Sequence, residues 1–318
     1  MRFVQIFLAA IFNIACAHAQ TWPARPINIL VTTTPGTGID LLARTIGQRL
    51  IERWGTGVAV ENRPGASGNI ARDAVARAAP DGHTLLMTPT SFITNLAVNR
   101  EVGFDPVKSF APVSLLATGT LALVVSNDTP APSIRELITL AKAKPGALNY
   151  ASTGNGTVQH LAMELFKLEA GIDMTHVPYK SNGPAYNDLI GNRVNAMITT
   201  INTSVPYVQG GKMKLVAVLS SERSPLYAAI PTFAEQGLPK LQVSTWYAML
   251  TPAKVPESVI AKLNGEVNSI IGLGEVRELL EKQGLVPVGG PASRLSDLMR
   301  LELERWPRVV AAAGIKGD

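Results

Sequence analysis

Three observations predict an α/β fold with mostly parallel sheets. Short β-branched runs alternate with longer segments of helical period along most of the chain. Several of those runs end in an uncharged Gly/Ser/Thr/Asn loop that leads straight into a helix. At 318 residues there is room for two domains of roughly 100 to 200 residues each.

The elements follow in order. Ile27 to Thr33 reads as a first strand. Asp40 then caps a helix in which Leu42, Ile46 and Leu50 recur at four-residue spacing, and Val58 to Glu61 is the second strand. An Ala-rich helix from Asn69 to Ala79 leads through Asp81-Gly82 into strand Thr84 to Thr88. Ser109 to Asn127 carries no charge; Pro112, Gly119 and its Ser and Thr residues argue for two strands broken at the glycine rather than a membrane span. Ser133-Ile134-Arg135-Glu136 is a capping box, and Ile134, Leu137, Ile138 and Ala141 keep helical spacing up to Pro145-Gly146. Strand Leu148 to Ser152 is followed by a helix to Ala170, then by strands His176 to Tyr179, Val194 to Thr200 and Leu215 to Leu219. The last third is helical: one helix opened by Pro256, one over Glu275 to Gln283, one over Ser293 to Val310.

Composition excludes several classes. Charged residues are 17% and hydrophobic residues 46% of the chain, which rules out extended disorder. The formal charge of +5 is scattered, and aromatics are 6%, so a nucleic-acid surface is not expected. Residues 1–19 read as a secretory signal peptide: Arg2, an apolar stretch from Phe3 to Cys16, and Ala17-His18-Ala19 before Gln20. Its removal takes one Arg and the single Cys, which leaves +4 and no thiol chemistry. No P-loop, H-E-x-x-H, G-x-S-x-G or EF-hand pattern is present. Gly154-Asn155-Gly156 lacks the third glycine of a dinucleotide fingerprint, because Gln159 stands there. His83, His160 and His176 are far apart. The expectation is therefore a non-enzyme without cofactor or metal.

What remains is the repeated strand-end loop. Thr32 to Asp40 contains Thr34, Pro35, Gly36, Thr37 and Gly38. Ser152, Thr153, Gly154, Asn155, Gly156 and Thr157 form the second case, with His160 one turn into its helix. Thr199 to Ser204, including Thr200 and Asn202, is a third, and Thr90 with Ser91 a weaker fourth. A helix start has four N–H groups without internal partners and a partial positive charge, so such loops suit a carboxylate. Asp40 reads as an N-cap before it reads as a ligand contact.

At these residues the chain resembles the solute receptors of the tripartite tricarboxylate transporter system, the Bug family of periplasmic binding proteins. The resemblance is carried by Trp22-Pro23-Ala24-Arg25-Pro26-Ile27, Glu61-Asn62-Arg63-Pro64-Gly65-Ala66-Ser67-Gly68, Ala79-Pro80-Asp81-Gly82-His83-Thr84, Leu148-Asn149-Tyr150-Ala151-Ser152-Thr153-Gly154-Asn155-Gly156, His160-Leu161-Ala162-Met163-Glu164 and His176-Val177-Pro178-Tyr179-Lys180. It implies a type II-like periplasmic-binding-protein fold, two Rossmann-like lobes joined by two crossing strands near Leu121 to Ser126 and Val243 to Leu250. Lobe 1 is then 20–122 plus 243–318, and lobe 2 is 123–242. It further implies a monomeric receptor in the periplasm that closes on a small organic mono- or dicarboxylate and delivers it to membrane permease subunits, with Thr34 to Gly38 and Ser152 to Thr157 gripping the carboxylate. Thr37 stands where relatives often have a second glycine, and Thr199 where many have an acid, so the identity of the ligand does not carry over. A sensory receptor of the same fold, and a hydrolase or isomerase using Asp40, His160 or Asp188, are the rival readings.

Overall fold

The computed structural model describes residues 22–99, 102–223 and 227–316; the signal-peptide reading lies outside them. Strand β1 (Ile27–Val31) is followed by helix α1 (Gly38–Trp54), β2 (Val58–Asn62), a short 3-10 turn (Ala66–Gly68), α2 (Asn69–Ala76), β3 (Thr84–Pro89) and α3 (Ser91–Val98). β1 pairs in parallel with both β2 and β3. β4 (Phe110–Ser126) opens the second half, which continues with α4 (Ile134–Ala143), β5 (Asn149–Ser152), α5 (Val158–Ala170), β6 (Thr175–Pro178), α6 (Asn182–Ile190), β7 (Ala196–Thr200), α7 (Ile201–Gln209) and β8 (Met213–Val218). There β5 pairs in parallel with β6 and β7. The chain ends with β9 (Ser244–Pro252), α8 (Glu257–Ile271), α9 (Gly274–Lys282), β10 (Leu285–Pro287) and α10 (Ala292–Ala313).

The strand order is β2-β1-β3-β9-β4-β7-β5-β6, with β10 and β8 also on β4. β4 serves both halves. From Phe110 to Thr120 it pairs antiparallel with β9, and from Leu121 onward with β7 and β8. The return is tied beside it: Leu219 N–H donates to Leu121 O at 2.8 Å, and Val243 N–H to Leu219 O at 3.0 Å. The expected break at Gly119 does not occur. The segment is one 17-residue strand, because neighbours on both sides satisfy its backbone. The register shifts at Pro112/Ser114 absorb the proline. Gly119 instead makes room: a Cβ there would lie 2.6 Å from Thr245 Cγ2 and 2.8 Å from Leu285 Cδ2.

Two further expectations are corrected. Helix α1 begins at Gly38 with Thr37 as N-cap, so Asp40 is the third helical residue and not the cap. Thr199 to Ser204 is not a loop: Thr199 and Thr200 end β7, and Asn202 lies in α7, which runs through Pro206. α3 and α6, unmarked by the sequence reading, are short helices following strand ends.

Apolar side chains on the inner faces build the core. α1, α8 and α9 cover one face of β1, β3 and β9 through Leu42, Ile46, Leu50, Leu263, Val267 and Leu280. α10 lies against α3, β4 and α5, where Trp306 and Trp246 are fully buried. Trp246 Nε1–H donates to Glu302 at 3.1 Å. Burial pushes the Glu302 carboxyl up to about 7 despite that bond. An acid raised in the folded state weakens the fold progressively as pH climbs from its ordinary value to the raised one, and the full penalty stands above that. Glu302→Gln is therefore expected to raise the melting temperature at pH 8 by about 3 to 6 °C, corresponding to roughly 2 kcal/mol, and to leave it unchanged at pH 4. Thermal denaturation at the two pH values checks this; equal shifts at both would count against it.

Candidate functional site

In α/β sheets a ligand crevice forms outside the carboxyl ends of the strands, where the strand order reverses. Here those ends belong to β1, β2 and β3 in one half and to β5, β6 and β7 in the other. Near these strand ends, two glycines lie close against side chains of the opposite half. A Cβ on Gly156, after β5, would lie 3.1 Å from Val98 Cγ2 of α3. A Cβ on Gly284, between α9 and β10, would lie 2.0 Å from Asn202 Cγ at the start of α7. The residue before it, Gln283, reaches over loop 1: a Cβ on Gly38 would be 2.1 Å from its Oε1 and 3.0 Å from Tyr247 Oη. Both polar atoms of the Gln283 amide are buried without a partner. The first loop and the end of β7 are thus linked through Gln283 and Gly284.

Loop 1 is held from behind. Asp40 is 1% exposed and accepts from Gly36 N–H at 2.8 Å, Asn62 Nδ2 at 2.8 Å and Arg44 Nε at 3.2 Å. Burial opposes ionisation, but these donors outweigh it and hold the carboxyl below its ordinary range. Asn62 Nδ2 also donates to Thr33 O at 3.1 Å. Thr37 donates to Thr34 O at 3.0 Å and shares a 2.6 Å bond with Thr33 Oγ1, so its hydroxyl makes no cap bond to α1. Thr34, Pro35 and Gly36 are exposed. Asp40 is accordingly a loop-fixing residue, while the first amides of α1 lack a side-chain cap and face the loop.

Loop 2 is bonded more tightly to itself. Gly154 N–H donates to Ser152 Oγ at 3.1 Å, Gly156 N–H to His160 Nδ1 at 3.2 Å, and Thr157 Oγ1 accepts from His160 N–H at 3.3 Å as the N-cap of α5. His160 stacks on His176 with ring centroids 3.9 Å apart, and Ser152 Oγ is 2.7 Å from His176 Nε2. Beneath them Tyr150 hydrogen-bonds Glu164, which pairs with Lys167 at 2.9 Å. Burial lowers both histidines to about 4, so both rings are neutral near pH 7. Thr153 is half-buried and Asn155 is exposed.

The remaining candidates divide. Thr90 Oγ1 accepts from Trp246 N–H at 2.6 Å, which ties α3 to β9 rather than offering a ligand contact. Ser91 Oγ accepts from Arg72 Nη2 at 3.1 Å. Thr199 is fully buried and bonded to Tyr186 Oη at 2.7 Å; Thr200 is the cap position of α7. Asp188, the rival catalytic acid, is held by Arg193 and Tyr179, each at 2.5 Å. Sequence reasoning missed Arg72, Asn69, Asn62, Gln283 and Tyr247, and it set His176 far from His160, whereas the pairing of β5 with β6 brings the two rings together. Asn62 lies within the Glu61 to Gly68 string, which was available as a signal; Gln283 and Tyr247 come from the far end of the chain and carry no local mark. Among the described residues no group of three or more His, Cys, Asp or Glu could hold a metal ion. A groove of about 630 Å³ between α5 and α10, lined by Leu165, Leu301 and Arg305 among others, takes no residue from the strand-end loops.

The profile of the tripartite tricarboxylate transporter family receptor matches residues 42–315. Protein BugT of Bordetella pertussis is 34% identical over 315 residues, covering 98% of this chain and 97% of its own. A UPF0065 protein from the tcbD-tcbE intergenic region of Pseudomonas sp. strain P51 is 36% identical over 292 residues, 92% of this chain and 87% of its own. Among solved structures, Rpa4515 of R. palustris with adipate superposes with a TM-score of 0.77 at 34% identity, covering 93% of this chain and 100% of that one. MatC from Rhodopseudomonas palustris with bound malate gives 0.74 at 31% identity, covering 91% and 100%. The two-sheet α/β architecture is that of these periplasmic solute-binding proteins, and the chain belongs to the tripartite tricarboxylate transporter receptor family.

Proposed function

We propose that this protein is a periplasmic, non-enzymatic receptor that captures a small organic mono- or dicarboxylate between two lobes, 20–122 plus 243–318 and 123–242, and delivers it to a membrane permease. The observation that carries this reading is the start of α1. Its cap residue Thr37 turns its hydroxyl to Thr33 and Thr34 and makes no capping bond to the helix, its loop is fixed from behind by Asp40, and the unpartnered Gln283 amide packs over it. Donors without partners beside a helix N-terminus suit an anionic acceptor. Each hydrogen bond to a charged group contributes on the order of 1.5 to 3 kcal/mol, so a few converging donors supply much of the roughly 8 kcal/mol that micromolar affinity requires. The adipate and malate bound by the two related proteins support the same ligand class here.

Loop 2 acts as the second jaw: two of its amides are committed to Ser152 and His160 and the Ser152 and Thr157 hydroxyls to Gly154 O, so it presents Thr153 and the start of α5. Closure excludes water from both helix starts and strengthens every donor there. Titration calorimetry of the mature chain against carboxylates, amino acids and sugars tests the reading. The expected outcome is binding at micromolar Kd or tighter confined to carboxylates; tight binding only of uncharged sugars would defeat it.

A further inference from the structure

Arg72 has no place in the reading above. Its side chain is 0% exposed, and no carboxylate among the described residues pairs with it. The nearby acids have other partners: Asp73 with Arg77 at 2.9 Å and Asp40 with Arg44 at 3.0 Å. Arg72 Nη1 donates to Asn69 Oδ1 at 2.9 Å, and Nη2 to Ser91 Oγ at 3.1 Å and Thr88 Oγ1 at 3.3 Å, while Nε is buried without a partner. Phe92 covers the guanidinium with its ring centroid 5.3 Å away. A fully buried cation held only by neutral groups is costly. Burial brings it down to about 9, still protonated near neutral pH.

The location gives that charge a use. Thr32 follows β1, Thr88 is the penultimate residue of β3, and the order β2-β1-β3 reverses between β1 and β3, the switch point where a crevice opens. Gly68 lies over the same spot: a Cβ there would be 3.0 Å from Thr32 Cβ and 3.2 Å from Arg72 Nη2. Thr32 Oγ1 is also buried without a partner. A serine oxygen that accepts from a guanidinium keeps its own O–H free to donate, and the cation makes that hydrogen more acidic.

We propose that Arg72 is the positioning residue for ligand charge: its guanidinium sits beneath the β1/β3 crevice, directs Ser91 as a donor, and supplies the fixed positive charge by which the receptor prefers a carboxylate end group to a neutral isostere. The proposal rests on the carboxylate-receptor reading and goes beyond it by assigning the charge discrimination to a side chain rather than to loop amides alone. The missing counter-charge comes from the ligand.

The test is calorimetry with adipate, malate and their uncharged diamides on the wild type, Arg72→Met, Arg72→Lys and Ser91→Ala, together with thermal denaturation of each empty protein. Arg72→Met is expected to reduce the preference for carboxylate over diamide by about 10- to 100-fold, with an empty-state melting temperature equal to or above that of the wild type. Arg72→Lys, which keeps the charge, retains most of the preference. Ser91→Ala, a half-buried site that does not threaten folding, loses part of it and keeps the proposal testable should Arg72→Met not fold. Equal weakening of carboxylate and diamide in Arg72→Met, or unchanged preference in both Arg72→Met and Ser91→Ala, overturns the role of Arg72 while leaving the receptor reading intact. Absence of carboxylate binding by the wild type overturns the receptor reading, and this proposal with it.

Discussion

Lowering the pH from 6.5 to 4 is expected to remove about 3 kcal/mol of folding stability through His160, and a smaller amount through His176. Burial holds both rings at about 4, below the ordinary value of 6.5. A base lowered in the folded state is protonated first in the unfolded chain, so its stabilisation is complete above 6.5 and is lost as pH falls toward 4. The shift of His160 corresponds to about 3 kcal/mol; His176 is partly exposed and its share is screened. The two rings stack at 3.9 Å, so a charge on one also opposes a charge on the other. Lys167 lowers both, while Glu164 raises His176. Protonating His160 has a second consequence. Its Nδ1 accepts the Gly156 N–H, and a proton there sets donor against donor and loosens loop 2.

Glu302 acts in the opposite sense between its ordinary range and about 7, so the two effects partly cancel in the wild type and separate in Glu302→Gln. Urea denaturation at steps from pH 7.5 to 4 is expected to show the steeper acid loss in Glu302→Gln and a flatter curve in His160→Gln, whose amide oxygen still accepts from Gly156. Parallel curves for wild type and His160→Gln would refute the assignment.

The legible features are those decided within a few residues of chain. The Ser133 to Glu136 capping box forms as its spacing requires, with Ser133 Oγ accepting from Glu136 N–H. Leu42, Ile46 and Leu50 are buried as their period predicts, and the two Gly/Thr loops do follow β1 and β5. Asp40 was misplaced within its helix even though Thr37-Gly38-Ile39-Asp40 has the three-residue interval of a cap and its reciprocal acid. Uncapped Thr37 hid that signal, because its hydroxyl turns to Thr33 and Thr34. Gly119 looks like a break in sequence and is a clearance in space, set by Thr245 and Leu285 from the far end of the chain. Arg72 lies on the buried side of an Ala-rich helix where a cation is not expected; only the meeting of β1, β3 and α3 shows what surrounds it. Gln283 reaches Gly38 across 245 positions of sequence, beyond the range of any local pattern.

Asp40→Ala is expected to lower stability by about 2 to 3 kcal/mol and ligand affinity by about 10- to 100-fold. The carboxylate is almost fully buried and accepts from three groups, so its loss leaves Gly36 N–H without its acceptor and Asn62 Nδ2 with Thr33 O alone. Arg44 is half exposed and turns to water, which keeps the stability loss below that of a fully buried pair. The affinity loss has a separate origin. Gly36 has a φ of +81°, so the turn is held by the Asp40 bond and by glycine's tolerance of that conformation. A loop ordered only on binding draws its ordering entropy from the affinity. Asp40→Asn keeps an acceptor for Gly36 but sets an amide N–H₂ toward Asn62 and Arg44, so an intermediate result is expected. Denaturant titration reads the stability, and calorimetry against the carboxylate that binds the wild type reads the affinity. If Asp40→Ala binds that carboxylate as tightly as wild type, loop 1 does not hold the ligand, and the start of α1 loses its role as the anion site.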